Sequence, residues 1–148
     1  MIALDTSALI WAVRGDGAKQ AVIDARMQAI QGMGPLIVPA PALAEYLCKV
    51  PAQDRAKVVA DVASFATVVP FDYPSAIAAA GLLTKPRAKG TKQTFKVDAM
   101  ILAVAIANRA TTLIVKDQDF HAYPSGSVCI LDVSHLRIQS TLPLNNPL

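Results

Sequence analysis

Short runs of strand-forming residues that stop at Asp, Pro or Gly alternate along this chain with longer apolar stretches of helical character. That alternation leaves few folds open. Ile2 to Leu4 reads as a short buried strand. Thr6 or Ser7 is expected to cap a helix through Val13, ended by Arg14-Gly15-Asp16-Gly17. A second helix runs from Ala18 to Gln31 and stops at Gly32 and Gly34, and a second strand covers 36–38. Pro39 and Pro41 break that strand, and Pro41 suits the first turn of a helix reaching Lys49. Beyond Pro51 the chain predicts a helix over 53–65, a strand over 67–71 and a helix over 74–83. A strongly apolar helix over 98–109 then precedes strands at 112–115 and 127–131. Strands joined through helices form a parallel sheet covered on both faces. The expected fold is therefore α/β: a single domain over 1–148 with a central parallel sheet of about five short strands flanked by helices. Its tail, about 137–148, is expected to be irregular.

At 148 residues and 53% hydrophobic, such a chain can bury a sizeable core. Its longest apolar run, 99–107, is cut by Asn108 and Arg109 before it could span a membrane. The first residues carry Asp5 inside their apolar run and no basic stretch ahead of it, unlike a signal peptide. Cys48 and Cys129 are too few for a disulfide framework, so a reduced, cytoplasmic protein without membrane contact is expected.

The carboxylates are oddly placed for so apolar a chain. Glu45 is the only glutamate, and it sits inside Pro41-Ala42-Leu43-Ala44-Glu45-Tyr46-Leu47. Asp5 ends the first strand, Asp98 opens the most apolar helix, and Asp117 follows Leu113-Ile114-Val115-Lys116. Four of eleven acids thus lie against hydrophobic segments. A buried carboxylate is costly unless it is paired, hydrogen-bonded or bound to a metal. Singly, each has an ordinary explanation. Asp98 can cap its helix, Asp117 can be a turn residue, and Glu45 can be an exposed helix residue. Asp5 is harder to dismiss, because Thr6 and Ser7 are available as caps. In open α/β sheets, sites form beyond the carboxyl ends of strands where the strand order reverses. If the first and fourth strands are neighbours, Asp5 and Asp117 come together there.

The positive charge is local. Lys85, Arg87, Lys89, Lys92 and Lys96 occupy a stretch with no acid between Asp72 and Asp98; without these five the chain has nine bases against eleven acids. A basic segment near an acidic cluster suits a polyanion held beside a metal site, although a solvated loop has the same composition.

Four ordered segments carry a resemblance. They are Asp5-Thr6-Ser7 with Ala8-Leu9-Ile10; Glu45 after Val38-Pro39-Ala40-Pro41; Val97-Asp98-Ala99-Met100-Ile101-Leu102; and Ile114-Val115-Lys116-Asp117-Gln118-Asp119-Phe120. Together they resemble the motifs of PIN-domain ribonucleases, most closely the VapC-like toxins of bacterial and archaeal toxin–antitoxin pairs. The resemblance spans nearly the whole chain, from Ile2 to about Leu131. It implies an endoribonuclease dependent on Mg²⁺ or Mn²⁺, with products bearing 5′-phosphate and 3′-hydroxyl ends. Asp5, Glu45 and Asp98 would be the core metal-binding carboxylates, Asp117 the fourth and Asp119 an accessory; how the last two divide that corner is left open. Thr6 or Ser7 would orient Asp5 or a metal-held water. Lys116 and the 85–96 segment, with Lys89, Lys92 and Lys96, would contact RNA phosphates. A cognate antitoxin and a homodimer are implied as partners. One departure stands out: Val115 replaces a Thr or Ser usual two residues before the fourth acid.

The implied chemistry is physically coherent. Clustered carboxylates hold hard divalent ions that activate water and neutralise charge on a scissile phosphate. A phosphatase of the haloacid-dehalogenase type also begins with a strand ending in Asp, but it needs a second Asp where Ser7 stands. A nucleotide-binding Rossmann domain lacks its Gly-rich loop here. A non-catalytic PIN-type domain that binds RNA or protein is the remaining alternative.

Overall fold

The computed structural model describes residues 1–14, 20–84, 97–116, 120 and 123–136. Five strands form one sheet: β1 (Ile2–Leu4), β2 (Leu36–Pro39), β3 (Thr67–Val69), β4 (Thr112–Val115) and β5 (Cys129–Asp132). Their order is β3-β2-β1-β4-β5, and every neighbouring pair is parallel. The helices are α1 (Thr6–Arg14), α2 (Gln20–Gly32), α3 (Ala40–Leu47), α4 (Arg55–Ala63), α5 (Tyr73–Thr84) and α6 (Val97–Ala107). This is the expected α/β architecture.

Burial explains the sequence pattern of the strands. The central strands β1, β2 and β4 are buried throughout, so they read as unbroken apolar runs. The edge strands β3 and β5 are largely exposed or half-buried. Register is simple: Ile2 pairs with Leu36 on one side and with Thr112 on the other. α5 packs on α6, α6 on α3, and α3 on α1. Ile101 to Ala105 of α6 are completely enclosed. Each large aliphatic side chain so enclosed contributes roughly 1.5–3 kcal/mol.

Several boundaries differ from expectation, each for a local reason. β3 stops at Val69 rather than residue 71, because Pro70 has no N–H to continue the ladder. The helix expected from residue 53 begins as a 3-10 turn, Ala52–Asp54, before α4. α6 ends two residues early. Arg109 takes a left-handed conformation (φ 55°), and the Ala110 N–H donates to the Ala105 carbonyl at 2.9 Å. That is the Schellman closure, made here without the usual glycine. The strand expected at 127–131 is β5, preceded by a turn at Gly126 (φ 63°). Among the described residues no helix is long and apolar enough to cross a membrane. The basic segment 85–96, Asp117, Asp119 and the tail from residue 137 lie outside the described residues.

Candidate active site

The strand order reverses at β1. The chain builds β1, β2 and β3 outward in one direction, then returns to place β4 on the other side of β1. A crevice opens at the carboxyl ends of such a pair, and Asp5 stands there. Its N–H donates to the Ile114 carbonyl at 3.0 Å, adding one rung past β1, and its own carbonyl accepts from the Leu9 N–H at 2.9 Å. Strand therefore passes into helix with no intervening loop.

That tight junction overturns one expectation. Thr6 and Ser7 were the candidate caps, but α1 already begins at Thr6 and the cap is Asp5 itself. The Ala8 N–H donates to Asp5 Oδ1 at 2.7 Å, the N-cap hydrogen bond. The Ser7 hydroxyl lies 2.9 and 2.7 Å from the two carboxylate oxygens. Asp5 is only 2% exposed, and these donors offset part of the cost of burying it. Ser7 Oγ also accepts the Lys116 N–H at 2.8 Å. One hydroxyl thus ties Asp5 to the segment leaving β4. Val115, where a hydroxyl was expected, is fully enclosed in the core.

Thr6 serves a different acid. Its hydroxyl donates to Glu45 Oε2 at 2.5 Å, across from α1 to α3. Glu45 is half-buried, with buried Leu43 and Tyr46 holding α3 in place. Asp98 is also half-buried and sits in the first turn of α6, after Val97, where a carboxylate suits the positive end of the helix.

These three acids line one cleft of about 250 Å³, together with Thr6, Ser7 and Lys49. Ile10 and Phe120 complete its wall, and Phe120 is itself 2% exposed. Lys49 was not singled out from sequence, although its position four residues after Glu45 places the two on one helical side. Lys116 is exposed just beyond β4. Nearby, Asp132 caps a short turn: the Ser134 N–H and hydroxyl donate to it at 2.7 and 2.6 Å. Burial opposes its charge, but those bonds, with His135 and Lys116, hold its carboxyl below the usual value.

Residues 2–125 match the PIN domain. The chain belongs to the PIN-domain family. No curated protein sequence matches it. Among solved structures, this PIN domain is similar to VapBC2 from Rickettsia felis, solved with a DNA fragment from its promoter. The TM-score is 0.70 at 18% identity, over 89% of this chain and 98% of that one. VapBC-5 of Mycobacterium tuberculosis, a member of the VapBC family of toxin–antitoxin systems, is 27% identical. There the TM-score is 0.55, over 88% of this chain and 96% of that one. VapC20 of the same organism, a toxin that cleaves the sarcin–ricin loop, gives 0.54 at 19% identity, over 82% and 94%.

The donor set of this PIN domain suits a hard divalent ion. Asp5, Glu45 and Asp98 present only carboxylate oxygen. Among the described residues no three Asp, Glu, His or Cys side chains are grouped closely enough to hold an ion alone. Mg²⁺ is usually held by one or two carboxylates and keeps several waters, which fits an open acid-lined cleft better than a closed cage.

Proposed function

We propose that this PIN domain is a Mg²⁺- or Mn²⁺-dependent endoribonuclease and the toxin of a toxin–antitoxin pair. The observation that carries the reading is convergence. Carboxylates from the β1–α1 junction, α3 and α6 line a single cleft at the point where strand order reverses. A divalent ion bound there would neutralise charge at the scissile phosphate and make water a better nucleophile.

The chain's own groups do the positioning. Ser7 and the Ala8 N–H fix the Asp5 carboxylate, and Thr6 fixes that of Glu45. Preset donors of this kind avoid reorganisation when substrate binds. Asp98 adds a third acid from α6, with Asp117 as the fourth and Asp119 as an accessory. Lys116, Lys89, Lys92 and Lys96 are assigned to RNA phosphates. The likeness to structures named as toxin–antitoxin complexes supports an antitoxin partner. A homodimer is part of the same reading; exposed Tyr73 and Ile77 on α5 offer it an apolar surface.

Incubation of the purified chain with single-stranded RNA tests this directly. Cleavage is expected with Mg²⁺ or Mn²⁺, leaving 5′-phosphate and 3′-hydroxyl ends, and it should stop in EDTA and return with Mn²⁺. RNA left intact by antitoxin-free protein in Mn²⁺ would refute the ribonuclease assignment. Full cleavage in EDTA would refute the metal.

A further inference from the structure

An acidic cleft repels RNA unless something positive also faces the substrate. Lys49 is the cation that shares this cleft with Asp5, Glu45 and Asp98. Its position is well defined. The Lys49 N–H donates to the Tyr46 carbonyl and the Val50 N–H to the Leu47 carbonyl, at 3.0 and 3.1 Å, extending the turn beyond α3. Tyr46 and Val50, on either side, are 1% and 3% exposed. The backbone is therefore anchored in the core while Lys49 stays exposed at the cleft.

Among the described residues its ammonium is in no ion pair. Glu45, one turn earlier, accepts from Thr6. Among the described residues the ion pair present is Lys57–Asp61 on α4, away from the site. Three carboxylates and one ammonium give the described cleft a formal charge of −2. One divalent ion brings that to about zero, and without Lys49 it would remain negative. Lys49 thus favours a further anion in the loaded cleft. An ammonium on a flexible stem, with three donors, suits a phosphate oxygen.

We propose that Lys49 holds a phosphate of the RNA in the cleft, a role that rests on the ribonuclease reading above. It is a substrate-binding residue, distinct from the metal-side acids. An exposed lysine that is merely solvated would have none of the following consequences.

The test compares wild type, Lys49→Ala and Lys49→Arg, each as the full chain. Cleavage kinetics on single-stranded RNA in Mn²⁺ are measured alongside fluorescence anisotropy of the labelled RNA in Ca²⁺ at several salt concentrations. Lys49→Ala is expected to raise KM and Kd about tenfold, as for loss of a charged hydrogen bond, with kcat within about threefold. Its slope of log K against log salt should become shallower by about 0.7, one phosphate contact on a single strand. Lys49→Arg should restore both. Unchanged affinity and slope in Lys49→Ala, or Lys49→Arg no better than Lys49→Ala, would overturn the role while leaving the ribonuclease intact. A fall in kcat at constant KM would also overturn it. A wild type that neither cuts nor binds RNA would remove the ribonuclease reading and this role with it.

Discussion

Asp98→Asn should lose RNA cleavage by roughly a hundred- to a thousandfold, the range for removing one electrostatic stabilising group from an active site, and should still fold. The two effects separate because asparagine keeps the size and helix-start hydrogen-bonding capacity of the side chain. Asp98 lies half-exposed in the first turn of α6, and the burial that secures this helix comes from Ile101 to Ala105. Neutralising an acid at a helix start costs about 0.3–1 kcal/mol. A domain of this size then melts only about 1–4 °C lower. Cleavage assays and thermal melts on the same preparation check both halves. Cleavage within a few-fold of wild type would remove Asp98 from the site. Loss of the cooperative melt would mean that the carboxylate is structural.

Asp5→Ala should have the largest combined effect. Asp5 caps α1, and its buried carboxylate organises Ser7, whose oxygen in turn receives the Lys116 N–H. Losing an N-cap costs about 0.5–2 kcal/mol, and leaving buried partners unpaired adds about 1 kcal/mol or more. A fall in Tm of about 5–10 °C is expected, together with complete loss of cleavage. Asp5→Asn separates the roles, because asparagine caps about as well as aspartate. It should melt within about 3 °C of wild type and still not cleave. If Asp5→Ala melted like wild type, the capping role would be wrong. If Asp5→Asn cleaved normally, the metal-side role would be wrong.

Asp5 also shows where reading the sequence stops. The strand before it and the helix after it are legible from hydrophobicity, and so is the oddity of an acid between them. What is not legible is that strand and helix meet without a loop, making the last strand-side residue the cap and releasing Thr6 for Glu45. The adjacency of β1 and β4 could be posed only as a condition, since it depends on sheet order, to which no local pattern points. Lys49 was within reach: a helix drawn from Pro41 to Lys49 already puts it one turn after Glu45. A lone lysine at a helix end looks like solvated surface in the sequence, and only the shape of the cleft distinguishes it. The early end of α6 depends on Arg109 adopting a conformation that glycine normally supplies, so no residue type signalled it.

Crystals soaked in Mn²⁺ and measured for anomalous scattering would test the central claim, that Asp5, Glu45 and Asp98 form a divalent metal site for RNA hydrolysis. The expected result is a peak inside the cleft, bound directly or through water by at least two of these carboxylates, and absent from Asp5→Asn crystals treated identically. A cleft without Mn²⁺ at saturating concentration, in protein that still cuts RNA, would contradict the account.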